Sequence, residues 1–335
     1  MFKRGFKMIR INKIATAFSF MAVMATSSAS VLAQDWKGWN IHTSGYPNTV
    51  AMDDFARLVN EKTEGRINLK MYHGGTMGNQ TDAIEQVRLG ALAIGNFSLG
   101  PIGPVAEEAN VVSLPFVFKS VEQAFRAMDG EAGKRISAGL EKKGLIALAY
   151  HNAGARSFYN TQKPIHIPGD LQGMKVRVMN NDLYSGMISA MGGNPSPMAF
   201  SEVYQALKTN VVGGAENNYP SYEATGHFEV AGFYSLSEHL IIPECVCINA
   251  AIFRGLSDVD QKAVSEAAQE SALLQRELWA ERKEASRKKV LAAGVKINEI
   301  ADKAAFQLAM KPVHEGFLTA NPKLKSLVEL IKNTQ

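Results

Sequence analysis

The sequence predicts an α/β protein with a long helix in the second half of the chain. Strand-like and helix-like segments alternate between residues 39 and 97, the order of a mainly parallel sheet covered by helices. The stretch from Ser257 to Ala293 contains no proline or glycine and is rich in Ala, Glu, Lys, Gln and Leu. These residues lose least on entering a helix, so one long helix is expected there, bracing two domains or lying at a dimer interface. A chain of 335 residues can bury a sizeable core and form two domains.

The first 33 residues have the composition of a cleaved secretory signal peptide. Five basic residues come first: Lys3, Arg4, Lys7, Arg10 and Lys13. An apolar segment over 14–24 follows, and Val31-Leu32-Ala33 precedes the expected new N-terminus, Gln34. The apolar segment is short for a membrane span, and no cysteine lies near the cleavage point to carry a lipid. We therefore predict a signal peptide over residues 1–33 and a periplasmic protein that is not membrane-inserted after cleavage.

The leader also carries most of the excess positive charge. The full chain has 36 Lys and Arg residues against 32 Asp and Glu residues. Without the five basic residues of the leader, 31 basic residues stand against 32 acidic ones, a net charge of −1. This balance gives no electrostatic basis for nucleic-acid binding, and we expect no nucleic-acid partner.

The first α/β unit places polar residues at the ends of its strands. The expected strands are 39–43, 67–71 and 92–97, with apolar residues at helical spacing between them. Ligands of such sheets bind at the carboxyl ends of the strands. The candidates for the rim of a cleft are the polar residues at or just beyond these ends: Tyr46, His73 and Asn96.

The second unit begins with a strand predicted over 145–151. Asn181 and Ser201 are expected to cap two of its helices. Further strands over 239–242 and 245–250 return to the first unit. Two amphipathic helices, over 301–318 and 324–331, are expected after the long helix.

Arg177 is the strongest candidate for a binding residue. In the short strand predicted around it, Arg177 takes the opposite face from Val176 and Val178, which are expected to pack. A guanidinium fixed on a strand can hold a carboxylate with two parallel hydrogen bonds. For an arginine considered alone, a surface salt bridge is the simpler interpretation.

Three ordered motifs extend the argument beyond one arginine. They are Gly-Met-Lys-Val-Arg-Val at 173–178, Pro-Met-Ala-Phe-Ser-Glu-Val-Tyr-Gln-Ala-Leu at 197–207 and Ala-Glu-Asn at 215–217. Leu-Pro-Phe at 114–116 and a Gly-rich loop at 74–78 lie upstream. Together these segments resemble the DctP family, the substrate-binding proteins of tripartite ATP-independent periplasmic (TRAP) transporters. The resemblance extends over nearly all of the chain after the leader.

The resemblance implies two α/β lobes with the ligand in the cleft between them. Lobe I is predicted to comprise residues 34–153 and 243–282, and lobe II residues 154–242 and 283–335, with the long helix behind both. The implied function is that of a receptor for a small organic acid, which closes by a hinge motion. Its implied partners are the small and large membrane subunits of a permease driven by an ion gradient. Such a receptor is not an enzyme and requires no cofactor or metal.

The resemblance also implies roles for the residues near Arg177. Arg177 matches the position that holds the ligand carboxylate, Arg156 is a second cationic contact, and Asn217 is a hydrogen-bond partner. On spacing alone, Arg156 fits an ion pair at the domain edge equally well. Glu216 is either an anchor for an arginine or a ligand contact. Asn218 replaces a proline of many relatives, and its amide favours a sugar acid such as a uronate over the alternative, a C4-dicarboxylate.

Cys245 and Cys247 are expected to be two packed thiols. They share one face of a predicted strand, where the Cα atoms of residues i and i+2 lie near the upper limit for a disulfide. Two cysteines without Cys-x-x-Cys spacing also make a poor zinc site.

The sequence contains no local enzyme signature of the kinds sought. Gly-x-Ser-x-Gly, Gly-x-Gly-x-x-Gly after the first strand and His-Glu-x-x-His do not occur, and residues 130–135 form only part of a P-loop. This favours a binding protein. The alternatives are a periplasmic enzyme acting on sugar acids and a receptor for an ATP-driven importer.

Overall fold

A computed structural model describes residues 1–2 and 33–335. The predicted signal peptide therefore lies outside the described residues, apart from its ends. Residues 33–335 form one unit, and the following description concerns this unit. Within it, no helix has both the length and the apolar character needed to cross a membrane.

In residues 33–335, eleven strands form two separate sheets. The strands are β1 (Gln34–Asn40), β2 (Ile67–Tyr72), β3 (Ile94–Ser98), β4 (Leu145–His151), β5 (Ala155–Asn160), β6 (Lys175–Val178), β7 (Asn194–Pro197), β8 (Gly214–Asn217), β9 (Phe233–Ile241), β10 (Glu244–Asn249) and β11 (Lys296–Glu299). The first sheet has the order β2-β1-β3-β10-β4, and the second has the order β11-β9-β5-β8-β6-β7. We call the two halves built on these sheets the first lobe and the second lobe.

Helices surround both sheets within the same described range. The α-helices are α1 (Pro47–Lys62), α2 (Gln80–Arg88), α3 (Leu99–Ile102), α4 (Val121–Met128), α5 (Glu131–Glu141), α6 (Asp182–Ala190), α7 (Val203–Lys208), α8 (Tyr219–Ala224), α9 (His227–Val230), α10 (Ala250–Arg254), α11 (Asp258–Ala292), α12 (Lys303–Ala309), α13 (Lys311–Ala320) and α14 (Lys325–Asn333). Short 3₁₀ helices cover Glu107–Ser113, Pro168–Leu171, Phe200–Glu202 and Pro322–Leu324.

The sheets are mixed, whereas the alternation of strands and helices predicted mainly parallel pairing. Strand β1 is parallel to β2 and β3, but β10 is antiparallel to both of its neighbours, β3 and β4. Strand β5 is likewise antiparallel to β8 and β9. The chain leaves the first lobe after β4 and returns to it through β10. Strands β5 and β10 therefore each follow a connection between the lobes rather than a βαβ unit, and they run antiparallel to their neighbours.

Two short connections join the lobes, at residues 152–154 and 242–243. Gly154 has φ +61°, and a Cβ there would lie 3.1 Å from the indole of Trp279. The side chain of Gln275 holds the same connection, accepting from the Asn152 N–H at 2.7 Å and donating to its carbonyl oxygen at 2.8 Å. The crossing is thus fixed against α11, which carries both Gln275 and Trp279.

Helix α11 confirms the predicted long helix, and the Ser257 side chain caps it by accepting from the Asp260 N–H. It contacts α1 and β4 in the first lobe and α8 in the second. In the second lobe, the buried Glu223 carboxylate accepts from Arg282 and Lys289 of α11. The helix therefore braces both lobes.

The end of the chain divides between the lobes. Helix α13 packs on α6, whereas α14 packs on α4 and α5 of the first lobe. Gln123 of α4 also donates to the carbonyl oxygens of Ile331 and Thr334, at 3.3 and 2.8 Å. The lobe boundaries given by the sequence remain a prediction, and these contacts place the last helix against the first lobe.

Of three local predictions, the structure corrects two and confirms one. The first strand is β1 at Gln34–Asn40 rather than residues 39–43, because Gln34 already pairs with Ile67. Asn181 caps α6 as predicted, accepting from the Leu183 N–H at 2.9 Å. Ser201 does not cap α7, because a 3₁₀ turn over Phe200–Glu202 precedes that helix.

The expectation of two free thiols is wrong, because Cys245 and Cys247 form a disulfide. Their Cα atoms are 5.4 Å apart, inside the range that a disulfide requires. An ideal extended strand would separate them further, but the pairing of β10 with β4 shifts register between Val246 and Cys247. This local irregularity accompanies the shorter span.

Candidate binding site

A cavity lies where the two lobes face each other. It encloses about 600 Å³, including the part open to solvent. Its polar wall in the first lobe consists of His42, Asn79, Gln80, Thr81, Ser98 and Glu244. Its polar wall in the second lobe consists of Arg156, Arg177, Asn180, Asn217, Asn218 and Ser221. The apolar side chains of Met179, Met198 and Phe200 complete the second-lobe wall.

Arg177 presents a buried guanidinium to this cavity. Strand β6 fixes it, and the residue is 2 % exposed. Its Nε and Nη2 donate to the Met198 carbonyl oxygen at 3.1 and 2.8 Å, which fixes the plane of the fork. Within residues 33–335 it forms no ion pair with Asp or Glu. Burial lowers the pKa of Arg177 to about 10, so the group is still charged at neutral pH.

Arg156 lies on the same wall, but its charge is already compensated. Its Nε and Nη2 donate to the two oxygens of the Glu216 carboxylate at 2.5 and 2.8 Å. Nη2 also reaches the Glu216 carbonyl oxygen, and Nη1 donates to Asn217 Oδ1, both at 2.8 Å. One Nη1 N–H has no acceptor among the described residues and can donate to another group. Burial lowers the pKa of Arg156, but the Glu216 charge and hydrogen bonds outweigh burial and raise it overall.

Glu216 is buried behind Arg156 and does not line the cavity. Burial raises the pKa of its carboxyl group, but the Arg156 guanidinium and the His239 ring together outweigh burial and bring the pKa to about 2. The structure therefore places Glu216 as an anchor for Arg156.

Asn217 is the last residue of β8 and Asn218 is the next residue, and their amides make different contacts. Asn217 Oδ1 accepts from Arg156 and from the Asn218 N–H, and its Nδ2 has no acceptor among the described residues. Asn218 caps α8 through its Oδ1, which accepts from the Ser221 N–H at 2.7 Å, and its Nδ2 donates to the Ala153 carbonyl oxygen. Asn217 thus has a free donor at the cavity, while the Asn218 amide is engaged in the local fold.

The first-lobe wall contains a buried hydrogen-bond network centred on Glu244. His42 Nε2 lies 2.9 Å from Glu244 Oε1, and Asn48 Nδ2 donates to Glu244 Oε2 at 2.7 Å. Gln275 of α11 donates to Asn48 Oδ1 at 2.7 Å. The His42 ring stacks on Tyr46 with centroids 3.9 Å apart. These contacts hold one imidazole and one carboxylate in fixed positions at the cavity.

The three first-lobe candidates from strand ends lie beside the cavity rather than in its wall. Tyr46 lines an adjoining cavity, and its hydroxyl lies 2.9 Å from Ser221 Oγ of the second lobe. Asn96 is buried and accepts from Asn48 at 3.3 Å. His73 is half-buried, and its Nε2 lies 2.8 Å from Asp53 Oδ1. Of these three, only Tyr46 bridges the two lobes.

His42, Glu244 and Gln80 are cavity residues that the sequence analysis did not select. The sequence could have indicated His42 as a site residue, because His42 lies inside the first strand predicted over 39–43. Glu244 could also have been indicated, because it is the acidic residue in the apolar segment 240–250. Gln80 opens α2, and its Oε1 accepts from the Ser98 N–H at 3.1 Å. No single-position signal identifies it.

The chain has two lobes joined by two crossing connections and a polar cavity in which Arg177 has no acidic partner among the described residues. This architecture is that of the cleft-type receptors for small acidic solutes. Residues 40–320 match the family model described as bacterial extracellular solute-binding protein, family 7 (DctP). The chain belongs to this family. The resemblance to TRAP substrate-binding proteins is confirmed, and so is the two-lobed α/β fold.

Three proteins to which the chain is similar illustrate the family. A solute-binding protein of Chromohalobacter salexigens is 53 % identical over 321 residues, 96 % of each chain. A solved TRAP periplasmic solute-binding protein of Roseobacter denitrificans, with bound β-D-glucuronate, is 67 % identical at a TM-score of 0.90. One from a Sulfitobacter species, with bound β-D-galacturonate, is 57 % identical at a TM-score of 0.88. Each of these two structures covers 90 % of this chain, and all of its own chain is matched.

Proposed function

We propose that the protein binds a uronic acid, of the D-glucuronate or D-galacturonate type, in the cavity between its lobes. The observation that carries the proposal is the buried guanidinium of Arg177, which has no acidic partner among the described residues. A buried charge is costly unless an opposite charge pairs with it. A ligand carboxylate at Arg177 supplies that charge, and the bound uronates of the two structural relatives support this class of acid.

The free donors of Arg177 suit a carboxylate. Both Nη1 N–H groups and one on Nη2 have no acceptor in the described protein. Hydrogen bonds between a guanidinium and a carboxylate are charge-assisted and geometrically specific. The remaining Nη1 N–H of Arg156 and the Nδ2 of Asn217 lie on the same wall and add donors for carboxylate or ring oxygens.

The opposite wall suits the hydroxyl groups of a sugar ring. A hydroxyl both donates and accepts, so a polyol requires acceptors as well as donors. Glu244 supplies carboxylate oxygens, and Gln80 and Thr81 supply an amide and a hydroxyl. A simple hydrocarbon diacid would leave the remaining hydrogen-bonding capacity of these groups unused.

Delivery to a membrane permease is the second part of the proposal. The ligand binds, the lobes close by bending at the two connections, and the closed receptor docks on the small and large subunits of a TRAP permease. Contacts such as Tyr46 to Ser221 join the lobes across the cleft. Closure excludes water, and the lower local dielectric strengthens the pairing of Arg177 with its ligand. The site of action is the periplasm, transport is driven by an ion gradient, and the receptor catalyses no reaction.

A thermal-shift screen of the protein starting at Gln34 tests the ligand class. D-Glucuronate and D-galacturonate should raise the melting temperature by several degrees, because a ligand at a hundred times its Kd adds about 2.7 kcal/mol of stability. D-Glucose is the matched control, since it has the same ring without the carboxylate, and should give no shift. Succinate and malate test the dicarboxylate alternative.

Two outcomes of the screen would contradict the proposal. A shift with dicarboxylates but none with uronates would retain an acid receptor and discard the sugar-acid ligand. An equal shift with D-glucose and D-glucuronate would show that the carboxylate is not recognised, and would contradict the role of Arg177.

A further inference from the structure

Glu244 is a charged residue of the cavity that carboxylate binding at Arg177 does not explain. It is the first residue of β10, in the first lobe, whereas Arg177 belongs to the second. Its backbone lies between β3 and β4, paired with Ser98 and His151, and the residue is 5 % exposed. A carboxylate buried in the wall of a cavity for acids is unexpected, because like charges repel.

The position of this carboxylate is fixed by its neighbours. Asn48 Nδ2 donates to Oε2 at 2.7 Å and His42 Nε2 lies 2.9 Å from Oε1, while Gln275 holds Asn48 from behind. Within residues 33–335 Glu244 has no arginine or lysine partner. Each carboxylate oxygen accepts more than one hydrogen bond, so capacity remains for a ligand donor.

The charges of the cavity wall are therefore divided between the lobes. Arg156 is compensated by Glu216, which leaves the positive Arg177 on the second-lobe side and the acidic Glu244 on the first-lobe side. An acid with one carboxylate pairs with Arg177 and presents neutral hydroxyls to Glu244. An acid held at Arg177 by one carboxylate and extending across the cavity to the first-lobe wall brings its second carboxylate toward Glu244.

We propose that Glu244 is a selectivity residue that accepts a hydrogen bond from a ligand hydroxyl and repels acids that carry a second carboxylate. The excluded class comprises the aldaric acids, in which C1 of a uronic acid is oxidised to a carboxylate and the hemiacetal ring is open, and the C4-dicarboxylates. This inference rests on the proposed function. Natural recognition sites commonly achieve specificity by such a repulsive element in addition to attractive contacts.

Calorimetric titration of three proteins with D-glucuronate and with D-glucarate tests the inference. The wild type should bind D-glucuronate about 100-fold more tightly than D-glucarate, because the second carboxylate of D-glucarate faces the like charge of Glu244. The affinity of Glu244→Gln for D-glucuronate should be about 10-fold lower than that of the wild type, because a charge-assisted hydrogen bond is lost. Its affinity for D-glucarate should be about 10-fold higher or more, because the repulsion between the two carboxylates is removed.

Glu299→Gln is the matched control. Glu299 is exposed in β11 and does not line the cavity, so this variant removes the same charge from elsewhere on the protein. Its affinities for both acids should equal those of the wild type. A gain in D-glucarate binding here would mean that net charge, rather than Glu244, sets the selectivity, and would overturn the inference.

The two claims fail separately. A wild type that binds no uronate overturns the proposed function. A wild type that binds D-glucuronate, together with a Glu244→Gln variant whose preference between the two acids is unchanged, overturns only the role of Glu244. Should Glu244→Gln fail to fold, Glu244→Asp keeps the charge on a shorter side chain and should still exclude D-glucarate. Admission of D-glucarate by Glu244→Asp would show that shape rather than charge excludes it, and would contradict the inference.

Discussion

Replacing Arg177 by methionine should strongly weaken uronate binding while leaving the fold intact. Truncating one partner of a buried charge pair costs about 2–5 kcal/mol, so the affinity for D-glucuronate should fall by roughly 30-fold to several thousand-fold. Methionine retains much of the length of the side chain without its charge. Titration calorimetry of the wild type and the variant measures the loss.

The stability of the unliganded variant separates a binding role from a structural one. Since Arg177 is buried without an acidic partner in the described chain, removing it eliminates a desolvation cost. The Met198 carbonyl oxygen loses two donors in exchange. We expect the free energy of unfolding to be at least equal to that of the wild type. Arg177→Lys, which keeps the charge but loses the fork, should retain weak binding. An Arg177→Met variant with near wild-type affinity would exclude Arg177 as the anchor.

Replacing Glu216 by alanine, unlike replacing Arg177, should cause a large loss of stability. Glu216 is 0 % exposed and makes two hydrogen bonds to Arg156 through its carboxylate, so truncation leaves Arg156 charged, buried and uncompensated. Breaking a buried pair in this way costs about 3–5 kcal/mol. Urea unfolding of the unliganded protein measures it.

Two comparisons sharpen this prediction. The double variant Arg156→Met/Glu216→Leu should recover much of the loss, because it removes both charges. The exposed pair Arg57 to Glu61 provides the matched control: Glu61→Ala should cost less than about 1 kcal/mol. Equal losses for Glu216→Ala and Glu61→Ala would contradict the account of Arg156.

The same pair predicts a pH dependence of stability. In the folded protein the pKa of Glu216 is about 2, below the ordinary value of 4.5. A lowered pKa stabilises the fold fully above the unfolded pKa, and this contribution is lost as the pH falls from 4.5 toward 2. Glu216→Gln removes the titrating group, so its unfolding free energy should fall less steeply across that window than that of the wild type.

Local sequence signals predicted the elements that depend on local chemistry. The long helix α11 follows from composition and from the capping residue Ser257, both readable within one segment. The strand of Arg177 follows from the alternation of charged and apolar residues over 175–178. Such features require no knowledge of the rest of the chain.

The first-lobe wall was not predictable in the same way. His42 and Glu244 are 202 residues apart, and they meet only because β10 returns from the second lobe and inserts between β3 and β4. Likewise, the expectation that ligands bind at the carboxyl ends of strands placed His73 and Asn96 near the correct edge of the sheet. It did not predict the direction of their side chains. His73 turns to Asp53, and Asn96 turns to Asn48 in the interior.

Family resemblance supplied residue positions but not their division of labour. It implied that Arg156 and Arg177 are both ligand contacts, whereas the structure distinguishes them by their partners. Within residues 33–335, Arg156 pairs with Glu216, whereas Arg177 donates only to the carbonyl oxygen of Met198. The disulfide between Cys245 and Cys247 was also not predicted, and it lies at a register shift that no short motif encodes.

A crystal structure of the protein starting at Gln34 with bound D-glucuronate would test the central claim most directly. The account predicts the sugar in the cavity between the lobes, with its carboxylate within hydrogen-bond distance of Arg177 and a ring hydroxyl directed at Glu244. A carboxylate placed away from Arg177, or a sugar bound outside this cavity, would contradict it.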